Sequence, residues 1–546
     1  MSLTAEDIRN CTMIALDQPP WWPVGPIEGF RFTIEMTDDK LEYKAPIMLL
    51  VGTISWGDGT SEEVSYVYPS FSINKKHTYS SAGKYHVTIH GNLTYFYAAS
   101  DFNIISVDTP FPRSMSEAQS TIFLSRGAMF ESCINLVSIP EHLFDYCTGL
   151  TVFNRFFDNC RKLKFIPSGL FANHANATSF KECFRLCIDL RNIPEDTFLN
   201  CERAENFSGC FSNAVMLTSI PKDLFYTCTS ATDFSGCFSY CTMLSTIPED
   251  GIFGSVGENF DQCFYSCPHL QSIPTSFAFP STALSFCECF AYSGLTSIPE
   301  HASWFHYCQL AEDFTGCFSY CYDLTEIRGE LFADLRGAKD FTECFYYCQS
   351  LEIIYGSVFA RCHAIDFTRC FDSCFALSFI LAGIFVNCVY AETFEYCFGG
   401  TNLYQTNMNL FRGCINAVSF KGCFSNSGDI NYPGVDHLVF SLFDDCIHAE
   451  DFSECFSMSR VYNVDTDLFA NCLAANNFTK CFYGCWYIGY DPIYGTTYYH
   501  YPVPRLWETH PGADHDYCYS GCIHATGYPS IPEDWGGPHV EPEPEE

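Results

Sequence analysis

The chain has 546 residues, of which 28 are basic and 64 are acidic, so its formal net charge is -36. This balance argues against nucleic-acid binding, because a phosphate backbone would be repelled along the whole surface. The sequence contains no run of 18 or more apolar residues, so it predicts no membrane-spanning helix. The aromatic content of 17% is high for a soluble protein, and much of it recurs at fixed spacings.

Residues 1–29 are predicted to form an irregular, proline-rich arm that contains two adjacent tryptophans, Trp21 and Trp22. The arm cannot bury them by itself, so they either pack on the next domain or dock onto a partner. Met1 to Asn10 (MSLTAEDIRN) is polar and no apolar stretch follows it, so no export signal is expected. We therefore expect the chain to fold in a reducing cytoplasm.

Residues 30–92 are predicted to form a compact β-sandwich, because RFTIEM, IMLLVGTISW and KYHVTIHG have strand patterns and are separated by turn residues. Trp56 to Thr60 (WGDGT), His77 to Tyr79 (HTY) and Ala82 to Tyr85 (AGKY) follow in order. Together they resemble the W-G-D-G and H-x-Y-x-x-x-G-x-Y-x-V pattern of PKD-like domains. The resemblance implies an immunoglobulin-like fold used as a spacer or binding module. The Asp and Gly residues of WGDGT are expected to form turns, with ligand binding as the alternative.

Residues 93–125 include IISVDTPFP, which has the strand, proline and phenylalanine of a repeat without its cysteines, so they are predicted to be an amino-terminal capping coil. Residues 126–485 then repeat the template F-x-x-C-F-x-x-C-x-x-L-x-x-I-P-x-x-L-F-x-x-C-x-x-A-x-x in steps of 26 to 28 residues, with one step of 32. A period in this range is typical of a stacked solenoid. Successive units begin at Arg126, Phe153, Phe180, Phe207, Phe234, Phe260, Phe286, Phe314, Phe341, Phe367, Phe394, Phe420, Phe452 and Phe478.

The phenylalanine after the first cysteine position is present in every unit, so we expect it to stack on its copies as one internal ladder. Within a unit, apolar residues recur at every third position, which fits neither a strand nor a helix. Leu-x-x-Ile-Pro is predicted to be a short strand, Leu-Phe-x-x-Cys a tight helical turn, and Ala-x-x-Phe an extended piece on the opposite face. The predicted fold is mainly β with short helical turns, a solenoid of about 14 coils preceded by a small β-sandwich.

Leu217 to Cys228 (LTSIPKDLFYTC) and Leu270 to Pro274 (LQSIP) resemble the Leu-x-x-Ile-Pro strand and Phe-x-x-Cys turn of BspA-like leucine-rich repeats. The resemblance implies a leucine-rich-repeat solenoid that acts in adhesion and protein recognition without catalytic residues. The unit here is longer than many in that family, and it carries an additional Cys-Phe-x-x-Cys corner. The curvature of the family is therefore not implied.

The 34 cysteines fall mostly into the template, with 12 at its first cysteine position, nine at the second and nine at the third. Met129 and Phe156 replace the first cysteine in two units, Ala214 replaces a second one, and Leu335 replaces a third one. Metal ligands are not exchanged for Ala or Leu, so we predict buried free thiols that fill space as small apolar groups. Disulfide ladders between neighbouring coils are the main alternative, and a metal ion at each coil is another.

Residues 486–535 are predicted to form a carboxy-terminal cap with an inserted tyrosine-rich loop, and 536–546 to form an acidic, disordered tail. The loop is a candidate contact surface, because tyrosine combines contact area with a polar tip. With the arm, it gives these candidate partner contacts: Trp21, Trp22, Tyr487, Tyr490, Tyr494, Tyr498 and Tyr499. A zinc site is the alternative to a purely structural cap, because the segment contains His510, His515, Cys518, Cys522 and His524.

No P-loop, nucleophile elbow, Rossmann fingerprint or HExxH motif occurs, so we predict neither an enzyme nor a bound cofactor or metal. One hypothesis is a bacteriophage virion component, a head or tail fibre or decoration protein, that contacts a host or its glycans. The other is a bacterial or cellular surface adhesin, or an interaction scaffold. The expected partners are a protein or cell-surface ligand and, through the arm, other virion proteins; a homo-oligomer is also open. The thiol-rich core and the polar amino terminus favour the virion.

Overall fold

The structure is a computed structural model of the chain. It describes residues 29–64, 75–115, 128–249, 251–403, 410–428, 442–462, 464–491, 496–497 and 502–539. This part of the chain is mainly β with almost no helix, as predicted. Its single α-helix, α1, spans Leu506–Thr509, and no helix in the described ranges is long and apolar enough to cross a membrane.

Seven strands form the amino-terminal domain: β1 (Phe30–Met36), β2 (Glu42–Lys44), β3 (Ile47–Ser55), β4 (Ser61–Val64), β5 (Lys76–Thr78), β6 (Gly83–Phe96) and β7 (Ile104–Val107). Five of them make one sheet in the order β4-β3-β6-β1-β7, and β2 pairs with β5. All these pairs are antiparallel. Alternate β1 residues Phe30, Phe32 and Ile34 are buried, as expected for a strand with one face on the core. The predicted sandwich is therefore a five-stranded sheet with a separate two-stranded ribbon.

The predicted domain boundary at residue 92 lies inside β6, which continues to Phe96. Gly91 and Asn92 look like a turn in the sequence. In the structure, Gly91 lies opposite Gly52 in the β3–β6 pair. A Cβ atom on either glycine would approach the backbone of the other strand within 3 Å, so this close strand crossing requires glycine at both positions.

Strand β7 joins the domain to the repeats. It pairs with β1 on one side, and its Ser106 forms a parallel bridge with Ser138 of the first repeat unit. Phe111 follows β7 and lies 5.9 Å from Phe144 of that unit, which supports the predicted role of this segment as the first coil. Buried residues of the domain and of the repeats form one continuous core.

The WGDGT motif forms a turn. The Thr60 backbone N–H lies 2.9 Å from Oδ1 of Asp58, and Nε2 of His77 lies 2.6 Å from Oδ2. Burial alone would raise the pKa of Asp58, but the hydrogen bonds from Thr60 and His77 lower it to about 2. The carboxylate is therefore engaged within its own turn, which agrees with the structural role predicted for the motif.

The Leu-x-x-Ile segments of successive units pair in parallel, as predicted. Four of them are two-residue strands: β8 (Ser297–Ile298), β9 (Glu326–Ile327), β10 (Ile353–Ile354) and β11 (Phe379–Ile380). In β9, β10 and β11 the template proline is replaced by a residue that donates its backbone N–H to the preceding unit at 2.8–3.0 Å, namely Arg328, Tyr355 and Leu381, and β8, which keeps its proline, accepts the first of these bonds. Proline lacks this N–H, so pairing in earlier units is reduced to single bridges such as Ser219 with Thr246.

On the opposite face, the residue before the first phenylalanine pairs in parallel from unit to unit. It is a small polar residue in almost every unit, as in Asp313, Asp340 and Asp366. Each of these carboxylates accepts the backbone N–H two residues further on at 2.7–2.8 Å. This local turn redirects the chain into the Cys-Phe-x-x-Cys corner.

The corner connects neighbouring units through backbone hydrogen bonds. In the unit that begins at Phe341, the N–H groups of Phe341, Glu343, Phe345 and Tyr347 each donate to a carbonyl of the next unit at 2.8–2.9 Å. Glu343 and Tyr347 have left-handed φ values of 56° and 58°. The residue before each corner cysteine position is left-handed in every unit, so this corner is the same throughout the array.

Three phenylalanine ladders fill the interior, where one was predicted. The predicted ladder is confirmed: its rings stack from Phe130 to Phe482 with centroids 5.2–5.7 Å apart and planes within 10°. The first template phenylalanine forms a second ladder, as in Phe314 to Phe341 at 5.0 Å. The Leu-Phe phenylalanine forms a third, and it meets the second edge to face, as in Phe314 to Phe332 at 5.0 Å.

The 33 described cysteines are free thiols, and all except the half-buried Cys287 are buried. Thiols at the second position donate to the carbonyl of the ladder phenylalanine one unit earlier at 2.9–3.3 Å, as Cys348 does to Phe318. Ser427, which replaces such a cysteine, donates to Phe398 in the same way at 2.9 Å. The first-position thiols of the described units show no such bond. The second position therefore takes a small residue that is usually a donor, with Ala214 as an exception, and the first position takes an apolar group.

The carboxy-terminal segment, where a cap is predicted, continues the template. Tyr519 stacks on Phe482 at 5.4 Å and so ends the phenylalanine ladder, and the Cys522 thiol donates to the Phe482 carbonyl at 3.2 Å. His515 stacks on the buried Trp535 at 4.1 Å. Of the predicted tail, residues 536–539 are described and 540–546 lie outside the described residues.

Replacing Phe318 by alanine should lower the free energy of unfolding by about 3–5 kcal/mol, because it removes a fully buried ring from a ladder that collapses poorly around a cavity. It should also separate the unfolding of the two halves of the array, since each unit contacts only its neighbours. Urea unfolding followed by circular dichroism measures both effects. The exposed Tyr226→Ala substitution is the control, and a Phe318→Ala curve identical to wild type would contradict the ladder's role.

Two serine substitutions in one unit test the different cysteine positions. Cys348→Ser keeps a donor for the Phe318 carbonyl and should cost under about 1 kcal/mol, whereas Cys344→Ser buries a hydroxyl without a carbonyl acceptor and should cost about 1–3 kcal/mol. Chemical unfolding of both variants gives the comparison. Equal losses would show that the two positions are not chemically distinct.

The buried thiols should also make the fold sensitive to alkali. Burial raises the pKa of Cys241 and Cys485 to about 12, from an ordinary value near 9, and raises that of many other thiols further. Above pH 9 the unfolded chain releases thiol protons that the folded chain retains, so stability falls by about 1.4 kcal/mol per thiol and pH unit. We expect thiolate absorbance near 240 nm to appear together with loss of circular dichroism between pH 9 and 12. Thiolate formation without unfolding would contradict this coupling.

Candidate functional site

The structure places few of the predicted contact residues. Tyr487 is half-buried, with the Arg460 guanidinium 5.4 Å from its ring centroid. Tyr490 begins strand β12 (Tyr490–Asp491), which pairs with β13 (Thr496–Thr497). The other predicted contact residues lie outside the described residues: Trp21, Trp22, Tyr494, Tyr498 and Tyr499.

A different aromatic surface follows the corner of six consecutive units. Its eight rings form a continuous chain of contacts from the unit at Phe234 to the unit at Phe367. We call it the tyrosine ridge, and it consists of Tyr240, Tyr265, Tyr292, Tyr320, Tyr322, Tyr346, Tyr347 and Phe375. Three of its rings are exposed and the other five are half-buried.

Ring contacts along the ridge are edge to face or tilted, with one exception. Tyr240 and Tyr265 lie 5.3 Å apart at 59°, and Tyr265 and Tyr292 lie 5.3 Å apart at 58°. Tyr292 and Tyr320 form the one parallel stack of the ridge, at 4.5 Å and 8°. Neighbours that are tilted or edge to face cover only part of each ring face, so ring faces as well as hydroxyls are available to a ligand.

Four ridge tyrosines occupy left-handed backbone positions: Tyr240, Tyr292, Tyr320 and Tyr347 have φ values of 57–58°. The equivalent residue in other units is often Asn or Gly, which adopt this conformation at low cost, as in Asn159, Asn213 and Gly400. A bulky aromatic residue is unusual there. Tyrosine at these positions therefore costs conformational energy that the fold itself does not require.

Carboxylates occur in the same part of each unit as the ridge tyrosines. The first ten template positions of its six units, which we call the corner segments, contain five carboxylates: Asp261, Glu288, Asp323, Glu343 and Asp372. Burial, followed by the neighbouring Tyr320 and Tyr265, raises the pKa of Tyr292 to about 12. Burial, Tyr320 and the nearby carboxylates also raise the pKa of Tyr346. The hydroxyls of Tyr292 and Tyr346 are therefore protonated donors near neutral pH.

No group of three or more His, Cys, Asp or Glu side chains within the described ranges could hold a metal ion. The predicted zinc alternative therefore finds no site in the cap, where Cys518 and Cys522 are buried at template positions. A cavity of about 500 Å³ lies in the amino-terminal domain. Two of its polar pairs bond to each other, Tyr43 Oη to Asp101 at 2.7 Å and Lys40 Nζ to Asn103 at 2.8 Å. The ridge is the stronger candidate site because three of its rings are exposed and the other five are half-buried, so a ligand can reach them.

The sequence carried a signal for the ridge that was not used. The ridge tyrosines occur at variable template positions beside the second cysteine, as in Phe-Ser-Tyr240-Cys, Phe-Ser-Tyr320-Cys-Tyr322 and Phe-Tyr346-Tyr347-Cys. Aligning the units by column would have shown tyrosine accumulating there in consecutive repeats. The denser tyrosines after Trp486 instead predict a contact surface in the cap.

No protein-family model matches the chain, and no curated protein matches it. Its structural neighbours include a leucine-rich repeat protein from Bacteroides ovatus ATCC 8483, which is 18% identical, covers 68% of this chain and 93% of its own, and has a TM-score of 0.25. A leucine rich cell surface protein from Faecalibacterium prausnitzii A2-165 is 18% identical, covers 58% and 82%, and has a TM-score of 0.18. The TLR13-ssRNA13 complex is 12% identical, covers 65% and 56%, and also has a TM-score of 0.18. At these TM-scores the neighbours give no argument about the ligand.

Proposed function

We propose that this protein is a non-enzymatic binding protein that contacts its partner through the tyrosine ridge. The observation that carries the proposal is the left-handed backbone at four ridge tyrosines, including Tyr292 and Tyr320. Each costs roughly 1–2 kcal/mol relative to a residue suited to that conformation. A stability cost repeated in neighbouring units is consistent with selection for a surface property, and aromatic clusters are typical of contact surfaces.

The ridge chemistry supports binding over catalysis. Burial and neighbouring phenols raise the pKa of Tyr265 and Tyr292, so these two side chains are weak nucleophiles near neutral pH. They retain the area and hydrogen-bonding capacity of a recognition surface.

The proposed architecture is a leucine-rich-repeat solenoid of about fourteen coils behind a PKD-like domain. In this arrangement the repeats display the ridge, and the arm at 1–29 attaches the chain to a larger assembly. The parallel pairing of successive units and the shared strand β7 support one elongated body.

We further propose that the assembly is a bacteriophage virion, in which this chain is a head or tail fibre or decoration protein made in the host cytoplasm. The buried free thiols support folding in a reducing compartment. The alternative is a bacterial or cellular surface adhesin or scaffold, which could use the same ridge.

Fractionation of an infected culture separates these two assignments. An antibody against the full chain should detect it in gradient-purified phage particles. Its extraction with the outer membrane of uninfected cells would instead assign it to the cell surface.

Binding of the purified full chain to host cells tests the ridge directly. Tyr292→Ala combined with Tyr320→Ala should weaken binding at least about thirtyfold, since central aromatic contacts are worth about 2 kcal/mol or more. Tyr226→Ala, at a tyrosine that is 65% exposed outside the ridge, should bind like wild type. Unchanged binding by the double variant, with an unchanged melting curve, would rule out the ridge as the contact surface.

A further inference from the structure

We infer that the tyrosine ridge binds an extended peptide segment of a partner protein that carries lysine or arginine side chains. The inference rests on the proposed function of the ridge as a contact surface, and it specifies the chemistry of the ligand. Three independent features support it: unfilled ring faces, the sign of the surrounding charge, and the length of the ridge.

The chain places its own arginines over tyrosines elsewhere on the surface. In four pairs, a guanidinium carbon lies 4.9–5.8 Å from the ring centroid of a tyrosine: Arg113 with Tyr146, Arg328 with Tyr355, Arg369 with Tyr396, and Arg460 with Tyr487. Across the described residues, no ridge tyrosine has an arginine or lysine over its ring. The repeat surface therefore stacks cations on tyrosine where the chain supplies both groups, while in the ridge it supplies only the rings.

Charge at the ridge also favours a cation. Its six corner segments contain five carboxylates and, within the described residues, one arginine, Arg369. That arginine is already engaged, over Tyr396 and within 3.6–3.7 Å of Glu343 and Asp372. The chain as a whole has a net charge of -36, so the long-range field adds to this local preference. An acidic ligand would be repelled, and a neutral sugar chain would gain hydrogen bonds but no charge attraction from the carboxylates.

The dimensions of the ridge define the length of the segment. Adjacent units lie about 5 Å apart, so six units extend over roughly 25 Å. An extended chain covers about 3.3–3.6 Å per residue, and seven or eight residues therefore span the ridge. Side chains on one side of such a segment recur every second residue, which places about four cations along the rings.

Titration calorimetry with the purified full chain tests the inference. The probes are a synthetic peptide of four Gly-Arg repeats, its Gly-Glu counterpart and a neutral cello-oligosaccharide of similar length. The arginine peptide should bind. Raising the salt concentration from about 50 mM to about 500 mM should lower its affinity, because its cations meet partly exposed carboxylates. The acidic peptide and the oligosaccharide should show no binding.

Matched variants identify which ridge groups are responsible. The double variant Tyr292→Ala with Tyr320→Ala should bind the arginine peptide at least about tenfold more weakly. Tyr292→Phe, which keeps a ring, should retain most of the affinity. Glu288→Gln with Glu343→Gln should weaken it several-fold and reduce its salt dependence. Tyr226→Ala and Glu249→Gln, both at exposed sites outside the ridge, should leave it unchanged. Each variant is first shown to melt like wild type.

The outcomes separate this inference from the proposed function. Suppose that the oligosaccharide binds independently of salt and that the double alanine variant abolishes this binding. The peptide assignment would then be overturned, and the ridge would remain the contact surface. The peptide assignment also fails if the arginine peptide does not bind while the double alanine variant still loses host-cell binding. If that variant binds both cells and peptide like wild type, the proposed function of the ridge fails as well.

Discussion

Stacking of identical phenylalanine rings between neighbouring units is the interaction on which the remaining structure depends. A ring that recurs once per unit at 5.2–5.7 Å forces every unit into the same orientation as its neighbours. That registration places the corner N–H groups opposite the carbonyls of the next unit and the Leu-x-x-Ile segments side by side. The hydrogen bonds and the short strands follow from the register of the rings, because each requires the next unit to be directly adjacent.

The cysteines serve this register in two chemical roles. At the first position a buried thiol fills space, and larger apolar residues such as Met129 can replace it. At the second position the thiol donates to the carbonyl of the ladder phenylalanine in the preceding unit, and serine can replace it while keeping the bond, as at Ser427. A thiol suits both roles because it is small and apolar yet can donate a weak hydrogen bond. One residue type therefore satisfies two different requirements of the same corner.

A rigid interior leaves the outward template positions free to vary, and the tyrosine ridge uses that freedom. The corner requires a left-handed residue before its second cysteine, and Asn, Gly or Ser supply it in most units. In the central units Tyr240, Tyr292, Tyr320 and Tyr347 stand there instead, at a conformational cost that the invariant core can absorb. Scaffold and surface are thereby separated: inward positions preserve the stack, and outward positions are free to change.

The sequence by itself determined the periodicity, the internal phenylalanine ladder, the short parallel segments, the near absence of helix and the assignment of most cysteines to template positions. These features follow from residue types that recur at fixed spacing. That spacing is a property of the chain itself and needs no knowledge of distances between units. The tertiary structure decided what depends on distances between units: the second and third ladders, the donor role of second-position thiols, the extension of β6 past residue 92, and the ridge. Tyr240 and Phe375 are 135 residues apart in the sequence. They belong to one surface only because stacking places their units roughly 25 Å apart along a common edge.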